Sequence, residues 1–494
     1  MRALIATLPR RLGWAVLALV LAFCIALWLT WHTDAAAMQS MTDGDFMKRF
    51  FALPALAAVA TWVLLTACAS SPVIGTANAA APAAAEPAKP FMAQVVGLQW
   101  LNPLQRKDYS TEWQLLWTLG LAQPNKDDEM VKSNPKKYTK LQAIGIIADG
   151  NNGKDTFEGY HEKYVSELIY KFHDIYFKDS TYFYNTHSLT DKKTWRELAG
   201  IHVEYAVPAG RLDPVGAATY MRETIRKSFV IGNPKVPTGW SKSTPPDVHV
   251  TAGGPNAGFT SLSAALDYLR AHPNETAWAV NWDAPSFPPK DEQINENMVM
   301  LVLAGPSYQT GREPLAWVGY PATRAAADFE AKKGLPPRAV QAWKAAFEAA
   351  TGNAGKRDTD IGYVIHDANN THADSSDRIG KLAQALTTEL VEFDFMKQAF
   401  NTPALLGEMG AGTALTNVAL GIAYANHFGK NVLVAGTSDA AQSTAVLVLP
   451  LAKVRPINPD KPWFRARSNN NAFLPWWGIR HDANPQFQQQ GFSE

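Results

Sequence analysis

From about residue 91 onward, short apolar runs alternate with segments that have apolar residues at helical spacing. The strand-like runs include AQVVGLQWL, TAWAVNW, NMVMLVLA, IGYVIH and KNVLVAG. The helical patterns include FTSLSAALDYLRAH, RAVQAWKAAFEAATG and RIGKLAQALTTELVEF. Strands separated by helices of this length favour a mixed or parallel sheet that is covered by helices on both faces. The pattern therefore predicts an α/β protein.

Two long apolar segments precede this region. The first, LGWAVLALVLAFCIALWLTW at residues 12–31, follows three arginines and is long enough to cross a bilayer with its N-terminus inside. The second, FFALPALAAVATWVLLTAC, ends in Leu-Thr-Ala-Cys at Cys68, which resembles the lipobox of a bacterial lipoprotein signal. We predict a transmembrane or signal region over residues 1–68, followed by an Ala/Pro-rich linker over residues 69–91.

These apolar segments leave two topologies open. If translation starts near Met41 or Met47, the chain is exported and lipidated at Cys68, and the large domain lies in the periplasm. If translation starts at Met1, two spans form a hairpin that leaves the domain in the cytoplasm. The sequence therefore predicts association with the bacterial inner membrane and leaves the side undecided.

Composition and charge restrict the kinds of partner and chemistry. The 494 residues carry a formal net charge of +1 and contain no long basic run, which argues against a nucleic-acid partner. The only two cysteines, Cys24 and Cys68, lie in the N-terminal region, so the rest of the chain has no thiolate nucleophile or thiolate metal ligand. His161, His173 and His187 lack ligand-like spacing, so we predict no metal and no cofactor.

Four blocks, in the same order along the chain, resemble the ketoacyl synthases of the thiolase fold. The first two are VVGLQWLNPLQRKDYSTEWQLLWTLG at residues 95–120 and PDVHVTAGGPNAGFTSLSAALDYLRAHPNETAWAVNWD at residues 245–283. The third, IHDANNTHADSSDRIGKLAQAL, resembles the HGTGTxxGDxxE loop, and the fourth, GEMGAGTALTNVALG, resembles the GHxxxAAG turn. The resemblance implies a pseudo-twofold, layered α/β/α/β/α body.

This fold implies a division of the chain into two similar halves. We expect an N-terminal half over residues 92–315, with an aromatic-rich insertion at about residues 151–235. The C-terminal half is expected over residues 316–455, and a tail over residues 456–494 is expected to wrap outside it.

The resemblance also places the residues of the family's catalytic site. Phe259 stands at the position of the catalytic cysteine, with Thr260 beside it, and Glu408 stands at the position of the second histidine. Only His366 remains of the family's catalytic residues. Because phenylalanine cannot be acylated and a carboxylate repels a developing oxyanion, these four residues are expected to form a vestigial pocket with no catalytic residue.

An enzymatic alternative stays open at this point. A shift of one residue in the alignment puts the Thr260 hydroxyl at the nucleophile position, with His366 as base and Glu408 or Asp374 as its orienting group. That arrangement would make a Ser/Thr acyl transferase or esterase. The competing interpretation is that Thr260 caps a helix N-terminus, which is the commoner role of such hydroxyls.

The whole chain, from QVVGLQWLNPLQRKDYSTEWQLLWTLG through GEMGAGTALTNVALG, resembles the type VI lipase adapter proteins. This resemblance implies a non-catalytic adapter that holds a phospholipase effector and loads it onto the spike protein of the type VI secretion machine. Thiolase folds commonly dimerise, so a homodimer is also expected. Loading a spike takes place in the cytoplasm, whereas lipidation at Cys68 predicts the periplasm.

Overall fold

The computed structural model describes residues 90–104, 111–122, 132–133, 135, 141, 156–178, 202–228, 246–288, 294–309, 313–368, 374–390 and 392–455. The predicted membrane segments, Cys68, the linker up to residue 89 and the tail 456–494 lie outside the described residues. Within the described ranges, no helix combines the length and the apolar character needed to cross a membrane.

The first part of the described chain contains five strands and four helices. In chain order these are β1 (Met92–Leu101), α1 (Thr111–Thr118), α2 (Phe157–Lys178), β2 (His202–Pro208), α3 (Pro214–Ser228), β3 (Asp247–Gly253), α4 (Ala257–Ala271), β4 (Thr276–Asp283) and β5 (Asn297–Ala304).

The second part contains six strands and five helices. In chain order these are β6 (Ala316–Gly319), β7 (Ala322–Ala325), α5 (Arg338–Asn353), β8 (Ile361–His366), α6 (Ser375–Glu389), α7 (Phe395–Gln398), β9 (Ala399–Asn401), α8 (Thr402–Leu406), α9 (Thr413–Phe428), β10 (Asn431–Gly436) and β11 (Gln442–Leu449). A 3₁₀ turn at Gly410–Gly412 leads directly into α9.

The strand order shows an internal twofold relation. The order across the sheet is β3-β2-β4-β5-β1-β6-β11-β10-β8-β9, and β7 pairs with β11. In each half a parallel trio, β3-β2-β4 or β9-β8-β10, continues into antiparallel strands that lead to the centre. The halves join where β1 pairs antiparallel with β6. The sheet is therefore mixed, and its two halves mirror each other in strand order.

Alternating residues along the inner strands point to different layers. On β5, Val299, Leu301 and Leu303 belong to a central core, whereas Met300 and Val302 belong to an outer core against α2 and α3. On the other half, alternate residues of β10 and β11 face either the same central core or an outer core against α5 and α6. Because side chains alternate across a strand, strands buried on both faces read as continuous apolar runs.

The helices α4 and α9 fill the central core. In α9, fourteen of the sixteen residues are buried, and in α4 the buried residues include Ser261, Leu262, Leu266 and Leu269. Both helices contact strands of the sheet and each other. The order of layers is thus α2 and α3, first strand set, α4 and α9, second strand set, α5 and α6. The predicted pseudo-twofold layered α/β body is confirmed.

The range predicted as an aromatic-rich insertion contains regular elements of the layered body. Residues 151–235 contain β2, which pairs with both β3 and β4 inside the sheet, and α2 and α3, which form the outer layer of the first half. Tyr160, Tyr164 and Phe172 are fully buried against this layer. The aromatic residues therefore build a regular layer of the fold, because large rings fill the space between a helix pair and a sheet.

Candidate functional site

Phe259 lies in the first turn of α4 and is buried in the central core. Its ring packs against the end of β10, because a Cβ atom added to Gly436 would lie 2.7 Å from Phe259 Cε2. The same added atom would lie 2.6 Å from Oδ1 of Asn256, the residue at the N-cap of α4. The ring therefore closes the position where the resemblance places a nucleophile, and Gly436 makes room for it.

The two hydroxyl residues next to Phe259 lie in different surroundings. The side chain of Thr260 is exposed, and its backbone N–H bonds to the Asn256 carbonyl oxygen at 3.4 Å. Ser261 is fully buried, and its Oγ has no hydrogen-bond partner among the described residues. Neither hydroxyl makes the hydrogen bond to a base that an activated nucleophile requires within the part of the chain described.

His366 ends β8 and is buried between the neighbouring strands. It stands opposite Ala435 of β10 and Asn401 of β9. Its Nδ1 accepts a hydrogen bond from the backbone N–H of Ala368 at 3.3 Å, and its ring stacks on Phe395. Burial lowers the pKa of His366 to about 4, so the ring is neutral at pH 7.

Glu408 is exposed and lines a cavity of about 180 Å³. Arg378, Thr413 and Ser438 are among the other residues of its wall, and Arg378 is paired with Asp374 at 2.7 Å. Phe259, Thr260 and His366 do not line this cavity. The structure therefore brings the four predicted residues to one end of the sheet without arranging them around a common space.

Two buried carboxylates at this end of the sheet were not predicted. Asp367, which directly follows β8, accepts hydrogen bonds from the Thr437 hydroxyl at 2.9 Å and from the Ser438 hydroxyl at 2.6 Å. It also accepts a bond from the Thr437 backbone N–H, and burial raises its pKa. Asp367 thus ties the end of β8 to the end of β10. Its position directly after a buried strand was the signal available in the sequence.

The second unpredicted carboxylate, Asp283, ends β4 and holds the turn before α9. Its Oδ2 accepts a hydrogen bond from Ala411 N–H at 2.9 Å, and its Oδ1 accepts one from Ala284 N–H at 2.7 Å. Arg211 Nη1 lies 3.9 Å from the same carboxylate. Burial raises the pKa of Asp283 to about 6, against the lowering effect of these donors.

The raised pKa of Asp283 makes stability depend on pH. The folded state binds the proton more tightly than the unfolded state, so this contribution is present below pH 4 and is lost as pH rises through 6. From pH 4 to pH 6 the loss from this group is about 2 kcal/mol. We expect Asp283→Asn to remove that loss, as measured by urea unfolding at both pH values. An unchanged pH dependence in the variant would contradict the assignment.

Together these side chains mainly join chain segments. A neutral histidine, two buried carboxylates with backbone partners and a packed phenylalanine connect the ends of β4, β8 and β10 to the starts of α4 and α9. Among the described residues, no hydroxyl is hydrogen-bonded to His366. This arrangement favours a structural role for the predicted pocket residues over the acyl-transfer alternative.

Comparison with protein families gives one match. Residues 316–450 match the family model described as type VI lipase adapter protein Tla3, C-terminal. The predicted resemblance to the lipase adapter family is confirmed over this stretch. The match to the Tla3 C-terminal model begins at the first residue of β6 and ends one residue after β11, so it covers the second strand set. No curated protein matches the chain.

Solved structures that align with the chain include a ketosynthase domain and a 3-oxoacyl-(acyl carrier protein) synthase. An oxazolomycin ketosynthase domain from Streptomyces albus JA3453 is 12% identical, with 75% of this chain and 99% of that chain covered and a TM-score of 0.46. The 3-oxoacyl-(acyl carrier protein) synthase III of Pseudomonas aeruginosa PAO1 is 13% identical, with 74% and 99% covered and a TM-score of 0.40. Both TM-scores are below 0.5, so the fold assignment rests on the strand order of this chain.

Proposed function

We propose that this protein is an adapter that binds a phospholipase effector and delivers it to the spike protein of a type VI secretion machine. The observation that carries the proposal is the match of residues 316–450 to the Tla3 C-terminal model. The matched range forms one complete half of the layered body, with its own outer helices α5 and α6. The outer helices of this half offer a surface for a partner.

We further propose that the adapter has no acyl-transfer activity. Phe259 fills the nucleophile position with a packed ring, and Thr260 is exposed. The His366 ring is neutral, and its Nδ1 accepts a hydrogen bond from the backbone N–H of Ala368. A hydroxyl nucleophile needs a base within hydrogen-bond reach, which this arrangement does not offer among the described residues.

The adapter role is tested by capture. We expect the tagged full chain to copurify with a phospholipase from its own bacterium, and the purified pair to bind the spike protein in a ternary complex. Thr260→Ala removes the hydroxyl of the enzymatic alternative, and its exposed position should leave the fold unchanged. We expect this variant and the native chain to capture the phospholipase equally and to hydrolyse no acyl ester or thioester.

Two outcomes would overturn the proposal. If purified protein hydrolyses an acyl ester and Thr260→Ala abolishes the turnover, the hydroxyl-based acyl transferase replaces the adapter. The second outcome concerns the side of the membrane. We place the domain at the inner membrane on its cytoplasmic side, where the spike is loaded. Palmitate incorporation that is lost in Cys68→Ala would show export and lipidation, which contradict loading in the cytoplasm.

A further inference from the structure

Four polar side chains meet near the start of β2 and β3, the two neighbouring strands at one edge of the sheet. β2 and β3 run parallel, and His202 stands opposite Asp247 while Glu204 stands opposite His249. Residues two apart on a strand point to the same face. The register therefore places two histidines and two carboxylates side by side, on a strand pair that lies outside the family match at residues 316–450.

The donor atoms of three of these residues converge. Single ligand atoms of His202, Glu204 and His249 all lie within 4.8 Å of one another. Nε2 of His202 lies 2.9 Å from Oε1 of Glu204. Two ligands of a tetrahedral Zn²⁺ ion, each at about 2.0–2.1 Å from the metal, lie about 3.4 Å apart. To surround an ion, the His202–Glu204 pair must open by about 0.5 Å, and the wider separations, which are at most 4.8 Å, must close towards about 3.4 Å.

Burial differs between the two strands in a way that suits a metal site with an entrance. His202 and Glu204 are 6% and 8% exposed. The side chains of His249 and Asp247 are 53% and 61% exposed. The first pair is thus held in place by packing, and an ion can enter from the solvent side, where His249 and Asp247 lie.

The surrounding contacts fix the rings as metal ligands require. The ring of His202 stacks on Tyr268, with ring centroids 3.7 Å apart and planes at 5°, and the Tyr268 hydroxyl donates to Glu275. Oδ2 of Asp247 lies 2.8 Å from Nε2 of His249. A carboxylate on one ring nitrogen sets the tautomer and orientation of a histidine that binds metal through the other.

We propose that His202, Glu204 and His249 bind a divalent transition-metal ion, for which Zn²⁺ is the best match, with Asp247 as the residue that positions His249. Two imidazoles and one carboxylate form a ligand set that Zn²⁺ prefers, with a fourth position open to water. The ion joins β2 to β3 and compensates the buried Glu204 carboxylate. The prediction of no metal rested on the spacing of His161, His173 and His187. The register of β2 and β3 is what brings His202, Glu204 and His249 together.

The test is titration of the untagged, detergent-solubilised full chain, stripped with a chelator, against Zn²⁺ and Co²⁺. We expect one site, and a visible Co²⁺ absorption typical of a four-coordinate ion. His249→Ala removes an exposed ligand without disturbing the core and should weaken Zn²⁺ binding at least 100-fold. Asp247→Asn should weaken it by about 10–100-fold, as second-sphere changes do.

His272→Ala is the matched control, because this exposed histidine lies next to Tyr268 but outside the ligand set. We expect it to retain the affinity of the native chain. The proposal is wrong if the native chain binds no stoichiometric Zn²⁺, or if His249→Ala binds it as tightly as His272→Ala does. In either case His202 and Glu204 form a metal-free hydrogen-bonded pair.

Discussion

Replacement of Gly410 by alanine is expected to lower the free energy of unfolding by roughly 2–4 kcal/mol, the combined cost of backbone strain and a steric clash. Gly410 has a φ of +51°, which side chains disfavour. An added Cβ would lie 2.0 Å from Oδ2 of Asp283. That oxygen accepts a hydrogen bond from Ala411, so the carboxylate cannot withdraw without leaving a buried N–H group unpaired.

A second glycine separates the two causes of this loss. Gly334 also has a positive φ, +93°, but nothing lies within 4 Å of an added Cβ. Gly334→Ala should therefore lower the free energy of unfolding only by the cost of backbone strain, about 1–2 kcal/mol. Urea unfolding of both variants measures the difference. Equal losses would show that Asp283 does not fix the turn at Gly410–Gly412.

The turn at Gly410–Gly412 was in part predictable from the sequence. The motif GEMGAG identified a turn before a buried helix, and the structure shows that turn with Glu408 at a cavity of about 180 Å³. Its anchor, Asp283, is 128 residues away from Ala411 along the chain. A hydrogen bond of that sequence separation leaves no local pattern, which is why Asp283 was not predicted.

The fold was predictable where the pattern was local. Runs such as NMVMLVLA and KNVLVAG are strands β5 and β10, because residues buried on both faces give continuous apolar sequence. Residues 151–235 were predicted as an aromatic-rich insertion, and their described part contains α2, β2 and α3. The cluster of His202, Glu204 and His249 depends on the register between β2 and β3, which the sequence alone does not specify.

The vestigial-pocket prediction shows the limit of motif resemblance. The four blocks predicted that Phe259, His366 and Glu408 share a vestigial pocket, and the structure brings them to one end of the sheet. Whether they share a cavity depends on side-chain packing, and the Phe259 ring against Gly436 and the His366 ring against Phe395 fill their own surroundings. Of these three residues, only Glu408 lines the cavity.

The buried ring of His366 leads to the second large effect, which depends on pH. Burial lowers its pKa from 6.5 to about 4, so the unfolded chain binds a proton at this residue at pH 5 while the folded chain does not. The stability that the neutral ring contributes is complete above pH 6.5 and is lost as pH falls towards 4. Between pH 7 and pH 5 the loss from this group is about 2 kcal/mol.

His366→Asn is expected to remove this loss. The asparagine Oδ1 can take the place of Nδ1 as acceptor for Ala368 N–H, and the amide does not titrate. At pH 7 the smaller side chain should lower stability, because it leaves space beside Phe395. At pH 5 the variant should have regained about 2 kcal/mol relative to the native chain, as measured by urea unfolding at both pH values.

Tyr363→Phe, on the same strand β8, is the matched control for His366→Asn. Burial raises the pKa of the Tyr363 hydroxyl to about 12, so its removal changes no proton binding between pH 5 and pH 7. This variant should lose stability on acidification in parallel with the native chain. If the stability of His366→Asn fell between pH 7 and pH 5 as much as that of the native chain, the imidazole of the native chain would have to be protonated or solvated in the folded state. Such a ring could exchange protons with solvent, and the acid–base role of His366 would then need to be tested directly by its turnover on acyl esters.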